Sequence, residues 1–111
     1  MAFKQLSLGE QEIVLRCMKA ADESIDDWEK HSRLELGPAE FRAVIANWPH
    51  IDDSKENGDG FLAINNCLNE VCYGFRIAPD DWTNFFNGPM SEVESTYRRW
   101  LELKGISGGI R

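Results

Sequence analysis

The chain has 111 residues, with 12 Lys and Arg against 19 Asp and Glu, a formal net charge of −7 and 42% hydrophobic residues. A chain this long buries roughly 65% of its unfolded surface in one core, so a second domain is excluded, and a pI of about 4.7 opposes nucleic-acid phosphates and anionic membranes alike. A charged fraction of 28% beside ordinary apolar content excludes a wholly disordered chain.

Residues 1–10 contain no apolar leader segment, and the apolar run at 61–64 is far too short to span a bilayer. A cytoplasmic location is the expectation. Ser7 followed by Glu10 matches a capping box, in which the hydroxyl takes a first-turn amide and the carboxylate reaches back. At about 100° per residue, Ile13, Val14, Cys17, Met18, Ala20, Ala21, Ile25 and Trp28 share one arc, which predicts a single long helix over 8–31. Its opposite arc carries Leu15, Lys19, Asp22, Glu23, Asp26, Glu29 and Lys30. That is a mainly acidic solvent stripe holding one exposed Leu.

Gly37-Pro38 predicts a second helix start, because Pro loses no hydrogen bond in the first turn. Phe41, Val44, Ile45 and Trp48 follow at helical spacing, and Pro49 closes the segment. Residues 50–60 mix Asp, Ser, Asn and Gly and read as a loop. A third helix over 61–73 stacks Ile64, Cys67, Leu68 and Val71, with Gly74 as a left-handed stop. The fourth is short, opening around Pro79, carrying Trp82, Phe85 and Phe86, and ending at Asn87-Gly88-Pro89. The fifth begins at a second capping box, Ser91 with Glu94, and runs to Lys104 with Val93, Tyr97, Trp100, Leu101 and Leu103 inside.

These elements define an all-α fold, a compact bundle of about five helices over 1–106, with 107–111 as a flexible tail. Residues 36–45 and 77–86 echo one another: Leu36-Gly-Pro-Ala-Glu-Phe41 resembles Ile77-Ala-Pro-Asp-Asp-Trp82. The echo suggests two helical hairpins packed on the long N-terminal helix, although proline, acid, acid, aromatic is also a generic helix start.

Three features carry candidate chemistry. Lys55-Glu-Asn57-Gly-Asp59-Gly60-Phe-Leu62 resembles the centre of an EF-hand calcium loop spanning 55–66. Asn57, Asp59, Gly60 and Leu62 fit its third, fifth, sixth and eighth positions. Lys55 stands where the first ligand belongs and Asn66 where a bidentate carboxylate belongs, so a divalent cation held by Asp53, Asn57 and Asp59 is an alternative to a chain with no cofactor. His50-Ile-Asp52-Asp53 has the residue types of a metal-assisted enzyme site and is the second alternative. Asn65, Asn66 and Asn69 lie with Tyr73 on the arc away from the third helix's core face. Asn costs about 0.5 kcal/mol against Ala in a helix, so these amides either bind a partner or satisfy a neighbouring loop.

No GxSxG, HExxH, Walker or GxGxxG motif is present. Cys17, Cys67 and Cys72 form no CxxC pair and sit on apolar stripes, as reduced core thiols do. Arg98 and Arg99 are offset by Glu92, Glu94 and Glu102 on the same helix, which argues against a recognition helix. The expectation is therefore a non-enzymatic interaction or regulatory domain with a basic protein partner. Its candidate contact residues are Leu15, Asp22, Asp26 and Glu29 on the first helix, or Asn66, Asn69 and Tyr73 on the third. Monomer and homodimer are equally open.

Overall fold

The computed structural model describes residues 1–75 and 77–106. Among them are seven helices and no strand: α1 (Ala2–Gln5), α2 (Leu8–Ser24), α3 (Asp27–Leu34), α4 (Pro38–Ala46), α5 (Asp59–Tyr73), α6 (Pro79–Phe85) and α7 (Met90–Lys104). The all-α class holds, with two helices more than the sequence pattern yields. The expected tail, 107–111, lies outside the described residues.

One extra helix is α1, whose four residues are too few to show a period. Phe3 nevertheless anchors it in the core at 1% exposure, beside Ala2 and Leu6. The other comes from a break in the predicted 8–31 helix. Ile25 and Asp26 are extended, with ψ of 120° and 148°, and divide α2 from α3. Continuing the helix would set Asp22, Glu23, Asp26 and Asp27 along one segment. At the C-terminal end of α2, carboxylates oppose the negative pole of the helix dipole, whereas Asp27 and Glu29 in the first turn of α3 face a positive one. The break reorients the surface: Trp28, placed by its spacing on the core arc, is 80% exposed.

The Ser7 capping box forms as expected, with Glu10 N–H donating to Ser7 Oγ at 3.0 Å and Ser7 N–H to Glu10 Oε1 at 2.8 Å. The second box does not. Helix α7 begins two residues earlier than that box requires, at Met90 with Pro89 as N-cap and no side-chain cap, so Ser91 already lies inside the helix. Gly105 takes the left-handed C-cap conformation at φ 69°, but Gly74 ends α5 at φ −95°.

Helix α5 occupies the middle of the bundle, packed against α2, α3, α4 and α7. Its Ala63, Ile64, Cys67, Leu68 and Val71 meet Val14, Cys17 and Met18 of α2, Phe41 of α4, and Val93, Tyr97, Trp100 and Leu101 of α7 in one buried cluster. Helices α4 and α5 pack together as a hairpin. The echoed segment behaves differently, because α6 packs principally on α2. No helix among the described residues is long and apolar enough to cross a membrane.

Candidate partner-binding surface

The α2–α3 break leaves backbone carbonyls without helical donors, and Lys30 supplies them. Its ammonium is fully buried and donates to Ile25 O at 2.6 Å, Asp22 O at 3.0 Å and Asp27 Oδ1 at 2.9 Å. A buried cation with three acceptors, one of them a carboxylate, is satisfied in both charge and hydrogen bonding. Arg42, on α4, straps the junction from outside, donating from Nη2 to Asp27 Oδ1 at 2.6 Å and from Nε to Asp22 Oδ1 at 3.1 Å. These hydrogen bonds, Arg42 first and then Lys30, hold the Asp27 carboxyl down at a pKa of about 2. Farther along α3, Arg33 joins Glu29 at 3.0 Å to Glu70 of α5 at 2.9 Å.

This framework fixes α3 so that Trp28 stands out into solvent among acids. Residues 22–35 hold six carboxylates, Asp22, Glu23, Asp26, Asp27, Glu29 and Glu35, against Lys30 and Arg33. Asp22, Asp27 and Glu29 serve the internal ion pairs. Glu23 and Asp26 are exposed, and among the described residues neither is ion-paired. The result is an uncovered indole beside free negative charge. Aromatic residues of this kind anchor interfaces.

Of the residues expected to meet a partner, Asp22, Asp26 and Glu29 belong to this junction, with Asp22 and Glu29 only half-exposed. Leu15 is half-buried and packs against the core. Asn66 and Asn69 require a correction, being buried at 4% and 7% exposure. Asn66 Nδ2 donates to Leu34 O at 2.7 Å, closing the C-terminus of α3, and Asn69 Nδ2 donates to the Tyr97 hydroxyl at 3.0 Å. Asn65 accepts from Trp100 Nε1 at 3.2 Å. Their amides tie α5 to its neighbours. Tyr73 is exposed at 46% and lines a groove of about 620 Å³ with Phe75, Ile77 and Met90.

The EF-hand geometry is corrected as well. Helix α5 starts at Asp59, so the fifth loop position onward runs along a helix instead of wrapping an ion. Gly60 is buried there against the Asp52 carbonyl, a contact that leaves no room for a Cβ. Asn57 adopts the left-handed conformation at φ 61°. Asp53 points inward at 0% exposure, accepting from Ala2 N–H at 3.0 Å, with Lys104 Nζ at 3.4 Å. His50 is exposed and shares a shallow groove with Asp52, Lys55 and Asp59. Among the described residues, no three His, Cys, Asp or Glu side chains converge to hold a metal.

The cysteine thiols are held in their protonated form by burial. Cys17 and Cys67 are raised well above the ordinary thiol value, and half-buried Cys72 is pushed up to about 12 by desolvation, with Glu94 adding to the effect. Thiols with such values supply little nucleophilic thiolate at neutral pH. Comparisons with protein-family models, curated proteins and solved structures found no match.

Proposed function

We propose that this chain is a small non-enzymatic interaction domain that docks a basic protein segment on the α3 face. Trp28 carries the reading: an indole left 80% exposed on a helix whose orientation is fixed by Lys30, Arg33 and Arg42. Long-range attraction from the acidic surface raises the encounter rate with a cationic partner. Trp28 then supplies apolar area at low cost in side-chain entropy, and Glu23 and Asp26 meet Lys or Arg at the rim. Asp22 and Asp27 hold the platform from beneath.

The test immobilises the protein and captures basic proteins from an extract at low salt. Trp28→Ala is expected to weaken retention of the captured partner at least tenfold, the loss typical of an interface anchor. Glu23→Arg with Asp26→Arg should weaken it further and flatten its salt dependence. All three positions are exposed, and the circular dichroism of each variant checks that its fold is kept. Retention unchanged in both variants would sink the reading.

A further inference from the structure

A third groove lies where α2 and α7 begin, at the opposite end of α2 from the α3 face. It encloses about 460 Å³, within the roughly 300–1,000 Å³ of small-molecule clefts. Its floor is apolar and firm: Phe86 and Val93 belong to the core, at 4% and 1% exposure, and Ile13 packs against them. Both helices open here, and their positive poles are already answered, by the Ser7 capping box on α2 and by Glu92 in the first turn of α7. Charge on the walls has one sign in excess, with Glu10, Glu12 and Glu92 lining the groove against a single cation, Arg16. Glu10 accepts from Ser7 N–H, while Arg16 donates to the Phe85 carbonyl at 3.0 Å and reaches Glu12 only at 3.5 Å. Glu92 is uncommitted: it is exposed, and among the described residues its carboxylate is in no ion pair. That carboxylate lies over Gly88, where a Cβ would stand, so its charge sits on the groove wall.

We propose that this groove binds a small organic ammonium ion, one with an apolar body and a cationic end. The body lies on Phe86, Val93 and Ile13, and the ammonium donates to Glu92, with Glu12 adding attraction from the facing helix. Because the floor is packed before anything arrives, binding orders little of the protein. An anionic ligand of the same shape would meet three carboxylates, and a neutral one would displace water from Glu92 without replacing its hydrogen bonds. The site uses none of the residues assigned to the α3 face, so it stands or falls separately from that surface.

The experiment titrates phenethylammonium into the isotope-labelled chain at low salt and follows the backbone amide shifts, with phenylacetate and phenethyl alcohol as the anionic and neutral counterparts. Saturable shifts are expected at Ile13, Glu92 and Val93 with the ammonium, which should bind roughly fivefold more tightly than the alcohol, and none with phenylacetate. Glu92→Gln, at an exposed position, should bring the ammonium down to the affinity of the alcohol, with its fold checked by circular dichroism. The comparison of the three probes on the unsubstituted chain stands whether or not that variant folds. No saturable shift at the groove up to millimolar probe, shifts confined to Trp28 and its neighbours, an equal response to phenylacetate, or an ammonium affinity unchanged in folded Glu92→Gln would each overturn the proposal.

Discussion

Asn66 closes the end of α3 through the Leu34 carbonyl, and Asn69 meets Tyr97 inside the bundle. Neither interaction can be read from helical spacing, because an amide that faces solvent and one that faces another helix's carbonyl occupy the same polar arc. Trp28 is the converse case. Its spacing from Ile25 is that of a core residue only while the helix is continuous, and two extended residues turn it outward. Residue type therefore located the apolar interior, with Phe41, Leu68 and Trp100 buried as expected, and mislocated the residues whose surroundings depend on a neighbouring element. At this scale Asp27 also gives a pH signature. Hydrogen bonds from Arg42 and Lys30 lower its folded pKa from 3.8 to about 2, so the carboxylate contributes stability above its ordinary pKa and loses it as pH falls from about 4 toward 2. Asp27→Asn should be less stable than the parent at neutral pH, and thermal melts should show the difference shrinking through that window.

The α2–α3 junction extends the same point to an element. A continuous helix is the economical reading of the 8–31 periodicity, and Lys30 on its solvent arc gives no signal against it. In the structure that ammonium is instead buried against Asp22 O and Ile25 O, carbonyls that the break releases. The sequence signal is the cluster Asp22, Glu23, Asp26 and Asp27, since so much negative charge near a helix C-terminus favours starting a new one. Lys30→Met keeps comparable length and apolar stem but leaves the carbonyls without their donor. A loss of about 2–3 kcal/mol is expected, read as a lower denaturant midpoint with unchanged slope. A midpoint equal to the parent's would show that Arg42 alone holds the junction.

Across the whole molecule, the all-helical class and most of the core were legible because 3.6-residue periodicity survives wherever a helix has two turns or more. Connectivity was less so: the echoed segments promised two like hairpins, yet α6 packs on α2, and sequence similarity over ten residues carries no information about which surface a short helix meets. The arrangement makes α7 indispensable. It brings Val93, Tyr97, Trp100 and Leu101 into the core and hydrogen-bonds Asn65 and Asn69 of α5. A chain cut to residues 1–89 should melt without a cooperative transition. Helix α1 packs chiefly on α7, which has a temporal consequence. At 5–20 residues per second, a ribosome needs on the order of ten seconds to pass from α1 to α7, so the first helix to be made completes its packing only when one about 85 residues downstream has been made.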